Sequence, residues 1–313
     1  VTALPDRIRV VEVGPRDGLQ NEAVHVPTDR KVRLVEALGD VGLSAIEMTA
    51  FVHPRWIPQM ADASEVATTV RRRPGVRYSA LVPNVKGYAA AAAADVPVVA
   101  VFMSATETHS RRNLNKGIDE AIEALREVTL AAQADGREVR AYLSVVFGCP
   151  YEGEVAPTAT LAIAKRLASM GIGELSLGDT TGMANPTQVR RLVSALREEV
   201  SGLSLAGHFH DTRGTALANT YAAMLEGLEV FDASVGGLGG CPYAPGASGN
   251  LSTNDLVAML EGMGIATGVD RDGLLEVTRW ICQDVLGVSI PSREATAELA
   301  RRAKAARVAA ERA

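Results

Sequence analysis

The chain has 313 residues, 47% hydrophobic and 22% charged, with a formal net charge of -5. That composition describes a globular protein with ample core, and its negative balance leaves nucleic acid or an anionic membrane no general attraction. No apolar run is long enough to span a bilayer, the N-terminus lacks a signal-peptide core, and three cysteines without a C-x-x-C pair argue against a disulfide framework or a cysteine zinc site, so a cytoplasmic protein is expected.

Short β-rich runs alternate with helical patterns along the chain. A strand is predicted over residues 8–14, then a helix over 28–41, with Thr28 preceding Asp29 as capping chemistry. The alternation continues with strand 45–51, helix 61–72, strand 76–82, helix 85–94, strand 98–103 and helix 117–134. Strand 140–147, helix 157–170, strand 174–177 and helix 186–200 follow, the last opened by Asn185 before Pro186. Strand 205–210, helix 216–228, strand 230–235 and helix 253–263 complete the repeat. Arg71-Arg72-Arg73 before Pro74-Gly75 reads as a solvated helix C-terminus. About eight strand–helix units with no Pro/Gly linker predict a (β/α)8 TIM barrel, and the tail from about Asp270 adds helices packed on it within one domain, 1–313. A doubly wound sheet is the alternative, but Gly14-Pro15-Arg16-Asp17-Gly18 follows the first strand in place of a Gly-x-Gly-x-x-Gly turn.

In such a barrel, chemistry sits where strands end. The unusual polar residues fall there: Arg16 and Asp17 after the first strand, Glu47 within the second, Asp179 at the end of the sixth, His208 and His210 at the end of the seventh. Alternate side chains of a strand share a face, so His208 and His210 project together. Joined by Asp17 across a closed barrel, they supply one carboxylate and two imidazoles. That mixed set suits Mg²⁺ or Mn²⁺, with Zn²⁺ also compatible. The bland alternative is two unrelated histidines. A fourth ligand is expected from the loop after the last strand, whose glycines, Gly236 to Gly249, carry an entropic cost that a purely structural loop would avoid. We read it as a loop that closes over substrate and carries Cys241. Asp211 either orients a metal ligand or caps the next helix. His109, Arg111, Arg112 and Lys116 form a basic loop that could meet phosphates. Cys149 and Cys282 read as packing residues.

The segment Val11-Glu12-Val13-Gly14-Pro15-Arg16-Asp17-Gly18-Leu19-Gln20-Asn21-Glu22 resembles the opening signature of the 3-hydroxy-3-methylglutaryl-CoA lyases, a family within the metal-dependent TIM-barrel lyases and synthases. Further matches are residues 51–60, Gly148-Cys149-Pro150-Tyr151-Glu152-Gly153, Gly178-Asp179-Thr180, His208-Phe209-His210-Asp211-Thr212 and residues 237–250. The Gly-Gly-Cys-Pro-Tyr-Ala loop favours the lyase branch.

The resemblance implies roles. Asp17, His208, His210 and Asn250 would ligate the metal. Arg16 would polarise the thioester carbonyl, Glu47 and Asp179 would be acidic groups near the substrate hydroxyl, and Cys241 would move a proton at the acyl carbon of the departing acetyl-CoA. It implies an acyl-CoA substrate and a homodimer, with no nucleic-acid or membrane partner. The chain departs from the family pattern at Ala23, Ala50, His53, Thr181 and Pro245. These leave open the acyl substituent at the 3-position. A lyase for citramalyl-CoA or a branched glutaryl-CoA, or a silent barrel that binds acyl-CoA, are the alternatives.

Overall fold

A computed structural model describes residues 4–240 and 249–312. Eight parallel strands close into a barrel: β1 (Arg9–Glu12), β2 (Ala45–Ala50), β3 (Arg77–Leu81), β4 (Val98–Ser104), β5 (Glu138–Ser144), β8 (Glu174–Asp179), β9 (Ser204–Phe209) and β10 (Val230–Ala233). The first and last strands seal it, with Arg9 opposite Val230 and Glu12 opposite Ala233. The two remaining strands, β6 (Gly148–Cys149) and β7 (Gly153–Glu154), form a small hairpin beyond β5. The expected (β/α)8 TIM barrel is the observed architecture.

Helices α1 (Thr28–Asp40), α2 (Ala63–Thr69), α3 (Val85–Ala93), α5 (Ile118–Ala134), α6 (Pro157–Ser169), α7 (Pro186–Glu199), α8 (Ala216–Leu225) and α9 (Thr253–Gly262) connect successive strands or follow the last. Each hides one stripe. In α7 the buried residues Val189, Leu192, Val193 and Leu196 recur at helical spacing. Fully burying a side chain of this size stabilises by about 1.5–3 kcal/mol. Asn185 caps α7 as expected, accepting the Gln188 amide at 3.1 Å, with Pro186 in the first turn. Thr28 does not cap α1. Pro27 occupies that position, and the Thr28 hydroxyl donates to Asp62 at 2.9 Å.

Three details differ from expectation. Helix α2 stops at Thr69, so Arg71–Arg73 lie beyond it. They act as cross-ties: the Arg72 guanidinium donates to the carbonyls of Ala94 at 2.7 Å and Ala67 at 3.0 Å, and Arg73 pairs with Asp40. The basic stretch after β4 is a helix, α4 (Glu107–Leu114), closed by Asn115 in the left-handed region. Within it His109 is buried and meets the Ser104 hydroxyl at 2.7 Å, so it is not a solvated phosphate contact. Arg112 stacks over the Tyr151 ring at 4.3 Å.

The tail comprises α10 (Arg271–Arg279), a wide π-helical turn over Trp280–Leu286, and α11 (Arg293–Arg312). The Trp280 ring is 8% exposed and lies under the Arg33 guanidinium of α1 at 4.4 Å. The other tryptophan, Trp56, is 85% exposed on the loop after β2. Cys149 and Cys282 are buried free thiols, as expected. Among the described residues, no helix is long and apolar enough to cross a membrane.

Candidate metal centre and active site

Every strand of a parallel barrel runs the same way, so all eight C-terminal ends meet at one rim. After β1 the chain makes one wide turn, Gly14–Gly18, in which the Val13 carbonyl accepts the amides of Arg16, Asp17 and Gly18 at 3.1, 2.7 and 3.2 Å. This turn aims Arg16 and Asp17 into the mouth. From β9, His208 and the next residue but one, His210, point the same way. Ligand atoms of Asp17, His208 and His210 all lie within 4.8 Å of one another. The two Nε2 atoms are 3.3 Å apart, and Asp17 Oδ2 lies 3.9 Å from His208 Nε2.

The loop after β10 supplies Asn250. It bridges to His210 as a short antiparallel pair, and its amide donates to Asp17 Oδ2 at 2.9 Å and to the Leu238 carbonyl at 3.2 Å. This placement needs glycine at both feet of the loop. A Cβ on Gly249 would sit 1.4 Å from the Gly239 carbonyl oxygen, and one on Gly239 would sit 2.5 Å from the Asn250 amide nitrogen. Cys241 lies outside the described residues.

These donors fit a divalent cation. The 3.3 Å between imidazole nitrogens is about the separation of neighbouring ligands on one ion with bonds of roughly 2.0–2.2 Å. Burial, helped by the neighbouring His208, pushes the His210 ring down to about 4, so at neutral pH one ring nitrogen offers a lone pair. Burial alone would raise the Asp17 carboxyl, but Arg16, the two histidines and the Asn250 amide outweigh it and hold it at about 2.

Arg16 and Glu47 form one unit. The guanidinium, 7% exposed, contacts Glu47 through Nε and Asp17 through Nη1. The other Glu47 oxygen accepts the Tyr142 hydroxyl at 2.9 Å. Both oxygens of Glu47 are therefore engaged, and the carboxylate holds Arg16 in place. Asp179 differs. Its Oδ1 accepts the amides of Met183 and Ala184 at 2.9 and 3.1 Å, while Oδ2 is buried without a partner. Burial pushes this carboxyl up, against those amides and nearby positive groups, to about 6. Asp211 accepts the Ala216 amide at 3.0 Å in the first turn of α8, whose N-cap position is Thr215, and lies 3.5 Å from Arg293.

Below the mouth lies a buried ionic group that sequence reading missed. Arg140 donates to Glu174 at 2.5 Å and to the Tyr142 hydroxyl at 2.7 Å, and its third arm contacts Asp232 Oδ1. Asp232 Oδ2 accepts the Ser176 hydroxyl at 2.7 Å and lies 3.2 Å from His208 Nδ1. The available signal was polarity in the wrong place: Arg140 and Tyr142 alternate on one face of β5, and Asp232 interrupts an apolar β10.

Residues 7–281 match the HMGL-like family model. Bovine mitochondrial hydroxymethylglutaryl-CoA lyase is 50% identical over 283 residues, 90% of this chain and 87% of its own length. A Pseudomonas aeruginosa 3-hydroxy-3-isohexenylglutaryl-CoA/hydroxy-methylglutaryl-CoA lyase is 50% identical over 95% of this chain and 99% of its own length. The crystal structure of the Bacillus subtilis HMG-CoA lyase superposes with a TM-score of 0.92 at 48% identity, covering 95% of this chain and 99% of that one. A match of this extent makes the chain a member of the HMGL-like family.

Proposed function

We propose that this protein is a metal-dependent carbon–carbon lyase that cleaves 3-hydroxy-3-methylglutaryl-CoA to acetyl-CoA and acetoacetate. The observation that carries this reading is the juxtaposition of Arg16, the Asp17–His208–His210 cluster and the half-open carboxylate of Asp179 at one rim, in a chain 50% identical to lyases over most of its length.

The reaction removes a proton from a tertiary alcohol, breaks the adjacent C–C bond, and leaves the electron pair on a thioester enolate that takes up a proton. Asp17, His208, His210 and Asn250 would hold the cation, Mg²⁺ or Mn²⁺ from the donor set. When bound, it supplies Lewis-acid charge that makes the hydroxyl more acidic. Asp179 is the base, because its unpartnered oxygen has a proton affinity poised near neutrality. Arg16, fixed by Glu47 and Asp17, brings a permanent positive charge to the thioester oxygen, where negative charge develops. Glu47 works through Arg16 by keeping its guanidinium aimed. Cys241, by the resemblance to the lyases, is assigned the proton that quenches the enolate carbon.

The P. aeruginosa relative is also named for a longer branched substrate, so a bulkier 3-substituent belongs in the test. Purified protein loaded with Mn²⁺ is incubated with 3-hydroxy-3-methylglutaryl-CoA, 3-hydroxy-3-isohexenylglutaryl-CoA and citramalyl-CoA, and acetyl-CoA is followed. Cleavage of the first supports the proposal. Cleavage of a relative alone moves the substrate, and cleavage of none refutes the lyase reading in favour of a silent acyl-CoA binder. A cytosolic homodimer is the expected form, and sedimentation velocity checks the assembly.

A further inference from the structure

We infer that Asp232, aimed by Arg140, is a positioning residue that fixes which nitrogen of His208 carries its proton and so makes the Nε2 lone pair available to a cation. This rests on the metal reading above for its consequence, though not for its geometry.

Asp232 is buried, and both of its oxygens are engaged. Its Oδ1 faces the Arg140 guanidinium, and its Oδ2 lies 2.7 Å from the Ser176 hydroxyl and 3.2 Å from His208 Nδ1. Arg140 is 1% exposed and anchored by Glu174 and Tyr142, so it cannot swing away. Asp232 Oδ1 is paired with that guanidinium and Oδ2 accepts the Ser176 hydroxyl, so both oxygens act as acceptors. An ionised carboxylate only accepts hydrogen bonds. His208 Nδ1 must therefore be the N–H, and in the neutral ring the lone pair falls on Nε2. That atom is the one 3.3 Å from His210 Nε2 and 3.9 Å from Asp17 Oδ2.

Arg140 makes the inference sharp, because it predicts what an isosteric amide would do. In Asp232→Asn the guanidinium still demands an acceptor, so the amide oxygen takes the Oδ1 position. The amide NH₂ then faces His208 Nδ1 as a donor, and the ring proton is driven to Nε2, into the place of the ligand lone pair. Asp-to-Asn in a Ser-His-Asp triad misplaces a proton in the same way while leaving the geometry intact.

Two readouts test this on the whole 313-residue chain. Nitrogen-15 spectra of histidine-labelled, metal-free protein, assigned with a His208→Asn variant, should show the His208 proton on Nδ1 in the parent and on Nε2 in Asp232→Asn. Mn²⁺ titration followed by electron paramagnetic resonance should show affinity falling about 10–100-fold in that variant, the usual effect of removing a partner behind a metal ligand. Glu12→Gln is the control for loss of a buried carboxylate. Glu12 bonds Gly14, Val235 and Thr253 and does not contact His208, so its loss should lower the melting temperature with Mn²⁺ affinity kept within a few-fold. A parent protein with the proton on Nε2, or a variant that keeps it on Nδ1, overturns the inference. If the parent binds no Mn²⁺ while the spectra behave as expected, the positioning stands and the metal reading fails.

Discussion

Asp179→Asn should separate stability from catalysis with a sign that depends on pH. The folded protein holds this carboxyl at about 6 against 3.8 for an ordinary aspartate. At about 1.36 kcal/mol per pH unit, ionising it in the fold costs roughly 3 kcal/mol. Because the folded value is the raised one, the favourable contribution is fully present below 3.8 and lost as pH rises through about 6. The parent should thus gain stability relative to the variant on acidification from pH ~8 to ~4. In the variant the amide oxygen keeps the bonds from Met183 and Ala184, while its NH₂ sits where Oδ2 has no partner. That unsatisfied donor costs about 1–3 kcal/mol. The variant should be as stable as the parent, or up to ~2 kcal/mol more stable, near pH 8 and clearly less stable near pH 4. At roughly 2–4 °C per kcal/mol, the difference in melting temperature should swing by roughly 5–10 °C across that range. Scanning calorimetry of metal-free parent and variant measures it. The same variant should lose about 10²–10⁴-fold in kcat. A difference in melting temperature that ignores pH would refute the raised carboxyl, and near-normal kcat would remove Asp179 as the base.

His210→Ala or Asp17→Ala should abolish stoichiometric Mn²⁺ retention by elemental analysis and lower activity by orders of magnitude, with the circular dichroism spectrum unchanged. Retained metal with full activity in either variant would show that the cluster is not the cation site. Cys241→Ser should lower kcat by roughly 10²–10⁴-fold with substrate binding largely kept, since a hydroxyl is a much weaker acid than a thiol. Cys149→Ser is the matched control. The Cys149 sulfur already accepts the Thr106 hydroxyl at 3.2 Å and the Tyr151 amide at 3.5 Å, so the new hydroxyl inherits partners and should change both kcat and melting temperature little. Equal kcat losses in the two serine variants would leave Cys241 a packing residue.

Sequence made the rim of the barrel legible because strand geometry is simple. His208 and His210, two residues apart at a strand end, must share a face, and Asp17 ends a strand that the closed barrel brings round to them. What lies under the rim was hidden for the same reason. Arg140, Tyr142, Glu174 and Asp232 sit inside strands whose inward positions are normally apolar, and only the closed sheet makes four distant segments neighbours. Helix α4 was misread as a loop because its polar sequence Glu107-Thr108-His109-Ser110-Arg111-Arg112 buries only His109 and Ser110, too little for an apolar stripe. Helix α2 ends early where the backbone leaves the helical region at Val70, and beyond it Arg72 and Arg73 tie to Ala94 and Asp40 on neighbouring elements.

The two tryptophans make this chain its own optical instrument. Trp56 stands in water, so its emission should lie to the red and be quenched freely by iodide, whereas Trp280, packed under Arg33, should emit to the blue and resist quenching. A Trp56→Phe variant would therefore report through one indole whose surroundings join the C-terminal helices to α1. Followed in denaturant beside far-ultraviolet circular dichroism, that signal tells whether the tail detaches before the barrel melts or the two come apart in a single cooperative step.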